Sequence, residues 1–174
     1  MFFLEQLPTT EILKGFAKRF PEMEIDSTTA CLKVLWFASH LIRDLEIHFA
    51  GHGLSQARFL VLIILERTAE KQLMPAEMAR QLGISKKNTA RVLSFMEQDK
   101  LVSRASHESD GRASIVTITP KGQRLLAKAM PGYYRILNRA MKPLSAREKA
   151  ILIHLLDALT SNDCAEKENA PRVA

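Results

Sequence analysis

The chain has 174 residues, 47% of them hydrophobic and with only 7 Gly and 7 Pro, which is enough for one domain with a core, too little for two large ones, and too apolar for a disordered chain. Its 25 Lys and Arg outnumber its 19 Asp and Glu for a net charge of +6, and two cysteines, Cys31 and Cys164, rule out a disulfide framework and suit a reducing compartment. The opening MFFLEQLPTTEILKG lacks the basic leader of a secretory peptide and the longest apolar run, Phe59 to Leu65, is far short of a membrane span, so a cytoplasmic protein with no membrane partner is expected.

Residues 1–26 carry a weak amphipathic pattern, Ile12, Leu13, Phe16 and Phe20, stopped by Pro21. An N-terminal arm or short helix with docking surface fits it. A single domain is then expected over residues 27–160. From Asp26-Ser27, either of which can cap, Leu32, Leu35, Trp36, Leu41, Ile42, Leu45 and Phe49 recur at helical spacing until Gly51-His52-Gly53, which predicts a helix over 27–53. Ser55 caps the next segment, LSQARFLVLIILER. Its apolar run fits a buried strand by periodicity alone, but its length and the flanking Ala57-Arg58 favour a helix buried on nearly all sides at the centre of the fold.

The chemistry-bearing stretch follows, from Pro75 to Gly122. Pro75 suits a first helical turn, Ala76 to Leu82 give a short apolar face, and Gly83 ends it. Ser85 caps a second helix whose inward side is Thr89, Val92, Leu93 and Met96 and whose leading outward edge is Lys86, Lys87, Asn88 and Arg91. Leu101 to Arg104 and Ser114 to Thr119 alternate as short strands around ASHESDGRA, where Asp110-Gly111 marks a turn. A short helix, a tight turn, a second helix with a basic leading edge and a hairpin together read as a winged helix-turn-helix spanning 54–119, a module that grips duplex DNA. The charge agrees: four basic residues and no acid lie between Met78 and Met96, and eight and no acid between Gly111 and Arg147.

Pro120 opens a long helix in which Pro131-Gly132 predicts a kink or break. Ser145-Ala-Arg-Glu148 is a capping box before a last helix that is apolar round much of its circumference, at Ile151, Leu152, Ile153, Leu155, Leu156 and Leu159. One protein layer does not cover such a helix, so a second subunit is expected on it. The polar tail 161–174 is expected to be disordered.

In the order and spacing of LSQARFLVLIILE, PAEMARQLGISKKNTARVLSFMEQDKLVSR and DGRASIVTITPKGQRLL, the chain resembles the MarR family of bacterial winged-helix regulators over roughly residues 30–160. The resemblance implies a mainly α fold with a small β-wing. It also implies a homodimer whose dimerisation helices are 27–53 and 120–160, with paired readers suited to a pseudo-palindromic operator. It places Ser85, Lys87, Asn88 and Arg91, with Lys86 alongside, at bases and phosphates. Arg112 matches the wing arginine that enters the minor groove, and Asp110 matches the partner that holds it extended. Two departures stand out. Asp99-Lys100 replaces a usual glycine, which costs on the order of 1 kcal/mol if Lys100 is held at positive φ, and Thr89 replaces an apolar residue.

The family often binds aromatic, anionic effectors between its dimerisation layer and its reader. Trp36, His40 and Arg43 fall at i, i+4 and i+7 of one helix, where an aromatic plate, a titratable donor and a fixed cation suit an aromatic carboxylate or phenol. The bland alternative is a core tryptophan, an interface histidine and a solvated arginine. Two other switches have weaker support in the sequence. His40, His48 and His52 lack a further Cys or carboxylate to complete a metal set. Cys31 lies out of register with the thiol of the hydroperoxide-sensing branch, and a buried structural cysteine is expected there. No metal or cofactor is called for. An enzyme is disfavoured because the chain has no Gly-rich phosphate loop, nucleophile elbow or carboxylate pair. The expectation is a ligand-released, homodimeric repressor. The alternatives are a redox- or metal-responsive regulator of the same fold, or a winged-helix module that binds protein.

Overall fold

The computed structural model describes residues 6–106 and 114–169, with side chains through Ala105 and from Ser114 to Ser161. Seven helices and three strands are present among them: α1 (Thr10–Arg19), α2 (Ile25–Ala50), α3 (Gln56–Arg67), β1 (Gln72–Leu73), α4 (Pro75–Leu82), α5 (Lys86–Gln98), β2 (Val102–Ser106), β3 (Ser114–Ile118), α6 (Pro120–Met141) and α7 (Ala146–Asn169). The chain divides into one compact unit up to Ile136 and a second from Leu137. The fold class is mainly α with a small β-wing, as the spacing predicts.

The first unit is organised on α3. Phe59, Val61, Leu62, Ile64 and Leu65 are buried there, so the ambiguous apolar run is a helix, although Leu60 remains partly exposed. Ser55 caps it by accepting from the Arg58 amide at 3.3 Å. Around it gather Phe49 of α2, Met78 of α4, Leu93 and Met96 of α5, Val102 and Val116 of the sheet, and Leu126 and Ala129 of α6. The rings of Phe49 and Phe59 stack at 4.1 Å between centroids.

The sheet departs from the expected two-stranded hairpin. β2 and β3 pair antiparallel from Val102↔Ile118 to Ser106↔Ser114, and β1 pairs with the other edge of β3 through Gln72↔Thr117 and Leu73↔Val116. A two-residue strand carries too little pattern to be read locally. It follows Lys71 at φ +54°, whose carbonyl accepts from Ile118 N at 3.2 Å.

Three further expectations need correction. Of the kink or break expected at Pro131-Gly132, the break is absent: α6 runs as one helix from Pro120 to Met141. Proline removes one intrahelical bond, yet the helix is held by packing: buried Gly132 lies against the His48 ring, where a Cβ would come within 2.1 Å of Cε1, and His48 Nε2 donates to Ala129 O at 2.8 Å. Cys31 is exposed rather than buried, because α2 buries only Phe49 near its far end. The last helix extends through Asn169, past residue 161, where the polar tail is expected to begin.

In the second unit the capping box is formed. Ser145 N donates to Glu148 Oε2 at 2.8 Å, and Glu148 N donates to Ser145 Oγ at 3.3 Å. Ser145 Oγ also donates to Glu148 Oε2 at 2.7 Å, and this bond first, with that from the serine amide second, holds the Glu148 carboxyl below its ordinary range. Beyond the cap, α7 leaves Ile151, Ile153, Leu155, Leu156 and Leu159 exposed, up to 68% at Leu159.

Candidate nucleic-acid interface

Helix α4 ends at Gly83 in the left-handed conformation, φ +64°, which lets the chain reverse tightly into α5. Ser85 then caps α5 by accepting from Asn88 N at 3.2 Å. Thr89, Leu93 and Met96 face inward and are fully buried. Thr89 is tolerated there because its hydroxyl donates to Ser85 O at 3.1 Å, which satisfies the one polar group it brings into the core.

That inward face leaves Ser85, Lys86, Lys87, Asn88 and Arg91 all exposed at the start of α5. No acidic residue occupies its first turn. Three cations therefore surround a helix N-terminus that is itself positive, a combination suited to phosphate and to acceptors on base edges. The Arg91 guanidinium rests 5.9 Å from the Phe95 ring centroid, which steadies a long side chain. Arg80 is neutralised instead. Its Nε and NH2 donate to the Glu77 carboxylate at 2.8 and 2.6 Å. These bonds, then one from Gln81, push the Glu77 carboxyl down to about 2. Asp110 and Arg112, assigned to the wing, lie outside the described residues.

The far end of α5 is held by residues that periodicity does not reveal. Lys100 adopts φ +58°, the positive value suspected from the missing glycine. Arg58 of α3 pairs with the Asp99 carboxylate and donates through NH1 to Gly53 O at 3.3 Å. Lys121 of α6 donates to Asp99 O at 2.8 Å, and Thr119 Oγ1 donates to Lys100 O at 2.7 Å. Gly122 packs so closely that a Cβ would stand 2.3 Å from Leu101 O. One signal for this junction was in the sequence: an aspartate at a helix C-terminus opposes the macrodipole and needs a cation.

Of the proposed effector residues, Trp36 and His40 meet. Their ring centroids are 4.0 Å apart, and His40 Nδ1 donates to Trp36 O at 2.9 Å. Arg43 is exposed on the same helix. A separate groove of about 610 Å³ opens between α3 and α6, lined on its apolar side by Leu60, Ile63, Leu126, Met130, Tyr133 and Tyr134 and at its polar end by Glu66, Arg67 and Gln123. Glu66 accepts from Lys71 Nζ at 2.8 Å and from Gln123 Nε2 at 3.2 Å. The lysine bond is the main cause of a carboxyl pKa below the ordinary 4.5, against an opposing effect of burial. The groove was not legible beforehand, because its two walls are some sixty residues apart in sequence. His48 and His52 lie edge to face at 4.9 Å. Among the described residues no three His, Cys, Asp or Glu side chains are grouped to hold a metal, and no helix is long and apolar enough to cross a membrane.

Comparison with known proteins agrees with this geometry. Residues 52–113 match the family model described as MarR family. The chain is 26% identical over 156 residues to the HTH-type transcriptional repressor YetL of Bacillus subtilis, covering 90% of this chain and 93% of that one. Sco3205, a MarR family transcriptional regulator from Streptomyces coelicolor solved in complex with DNA, superposes with a TM-score of 0.75 at 17% identity, covering 80% of this chain and 89% of that one. BpsR of Bordetella bronchiseptica, whose DNA binding is regulated by 6-hydroxynicotinic acid, superposes with a TM-score of 0.65 at 19% identity over 77% of this chain and 98% of that one.

Proposed function

We propose that the chain is a DNA-binding transcriptional regulator of the MarR type, acting in the cytoplasm as a homodimeric repressor released by a small aromatic acid or phenol; the family match over residues 52–113 and the likeness to YetL support this reading. The observation that carries the DNA reading is the leading edge of α5, where Ser85, Lys86, Lys87, Asn88 and Arg91 are exposed together around a capped N-terminus without an acid. Lys86, Lys87 and Arg91 supply phosphate neutralisation, and Asn88 and Arg91 supply donors in the geometry that adenine and guanine edges accept. Arg112 extends the contact into a minor groove with Asp110 holding its rotamer.

The dimer reading is supported by the apolar side chains that α2 and α7 leave exposed, among them Val34, Leu35, Phe37 and Ile47 on α2 and Ile153 and Leu159 on α7. A second copy covering them also pairs two readers across a two-fold axis, which fits a pseudo-palindromic operator.

Two seats suit the effector. The α3–α6 groove offers two tyrosines and a methionine against an aromatic ring, with Arg67 at its polar end for a carboxylate. The α2 stripe offers the Trp36–His40 plate with Arg43 one turn away. The groove is favoured, because it is concave and combines an apolar lining with few polar groups.

Gel-shift titration with the DNA upstream of the chain's own gene tests the regulator reading. Wild type should bind with affinity that falls steeply with salt, and Arg91→Ala should bind more weakly with a slope shallower by about one. Equal, salt-independent binding of wild type, Arg91→Ala and Arg112→Ala would remove DNA regulation and leave a protein-interaction module. Calorimetry with a panel of aromatic acids tests the effector. Heat lost in Tyr134→Ala but kept in His40→Ala assigns the groove, the reverse assigns the α2 stripe, and no heat from any acid removes the effector class.

A further inference from the structure

The Asp99-Lys100 departure has a structural counterpart that DNA contact does not use. Asp99 is the C-cap of α5, where a carboxylate meets the negative end of the helix dipole. It is nevertheless paired with Arg58, 41 positions away in sequence. The same guanidinium reaches Gly53 O at 3.3 Å, in the corner between α2 and α3 where Gly53 itself has φ +69°. Lys121 in turn donates to Asp99 O at 2.8 Å. The last turn of α5 is thus tied to the end of α2 through one side chain and to the start of α6 through another.

We infer that Arg58 is a positioning residue: by bridging Gly53 and Asp99 it sets how α5 is presented, and it passes a shift of the α2–α3 corner to the recognition helix. Three features make the bridge directional. A guanidinium is planar, so bonds from NH1 to Gly53 and NH2 to Asp99 fix the corner and the helix end in one plane. The Arg58 side chain is only 21% exposed against 52% for Asp99, so the cation belongs to the scaffold and the acid is what it captures. Positive φ at Lys100 and Gly53 places a tight backbone turn at each end of the bridge, so that rigid helices move about short pivots. The residues assigned to DNA contact are at the other end of α5, so Arg58 acts on operator affinity through orientation and not through contact.

The effect on DNA rests on the regulator reading above; the mechanical bridge does not, and the two are measured separately. In the protein alone, Arg58→Ala and Asp99→Ala should each raise amide exchange of Met96 to Leu101 about tenfold, and the double variant should exceed neither. On upstream DNA each should weaken binding about fivefold with an unchanged salt slope, because no phosphate contact is lost, and Arg58→Lys should recover part of it. Asp99 is half-exposed, so its variant carries the test if Arg58→Ala does not fold. Additive effects, unchanged exchange over Met96 to Leu101, or a slope reduced by about one would each overturn the inference. If wild type shows no salt-dependent binding, the regulator reading falls while the exchange result still decides the bridge.

Discussion

Lys100 and Gly122 show opposite sides of one constraint at the end of the recognition helix. Lys100 holds φ +58°, a left-handed conformation that glycine adopts without a Cβ penalty. Lys100→Gly is therefore expected to stabilise the fold by about 1 kcal/mol less the entropy that glycine adds to the unfolded chain, seen as a higher urea midpoint. Gly122 cannot accept a Cβ, because Leu101 O stands 2.3 Å from where it would be. Backbone cannot swing aside as a side chain does, so Gly122→Ala should cost about 2 kcal/mol or more. Denaturant titration of both variants beside wild type checks the pair. The sequence disclosed Lys100, by contrast with a family pattern, and Asp99 beside it. It did not disclose Gly122, whose need comes from Leu101 O across a packing contact.

At the scale of elements, capping and periodicity were readable because each lives within one or two turns. Ser55, Ser85 and Ser145 all accept from the amide three residues on, as a capping serine does. What periodicity could not price was Pro131 in α6, since the packing of His48 on Gly132 comes from another helix. Charge links elements as well. Glu66 at the end of α3 binds Lys71 before β1 and Gln123 of α6, and its carboxyl lies below the ordinary 4.5. Its folded pKa is depressed, so it stabilises the fold above pH 4.5, and that contribution is lost as pH falls through the lower folded value. Glu77, pushed down to about 2 by Arg80 first and Gln81 second, behaves likewise between 4.5 and about 2. Urea midpoints measured from pH 6 to pH 3 should fall for wild type and fall less steeply for Glu66→Gln. Equal slopes would show that the Lys71 bond does not form in solution.

At the scale of the whole molecule, the exposed apolar side chains of α7 exceed what a lone chain leaves in water without cause. Ile153→Asp and Leu159→Asp, at 59% and 68% exposure, place charge on that surface without disturbing the core of the first unit. Sedimentation should report a dimer for wild type and a monomer for the double variant. The monomer should keep its melting behaviour over the reader but lose most of its operator affinity, since one half-site contact then acts alone. A wild-type monomer that binds the operator at full strength would remove the paired-reader reading.

The order of the helices, the turn at Gly83, the caps at Ser55, Ser85 and Ser145, the buried face of α5 and its exposed basic edge follow from the sequence alone, whereas α2 begins at Ile25 behind Glu24 and not at the Asp26-Ser27 cap expected. Each is set by neighbours within about four residues, where helical and strand periods leave a visible mark. What holds the reader in place was decided only by tertiary structure. Arg58 reads as an ordinary polar residue on an apolar helix until Asp99 closes on it. The third strand and the α3–α6 groove join segments tens of residues apart, and such pairings impose no period on the chain, so they exist only once it has folded.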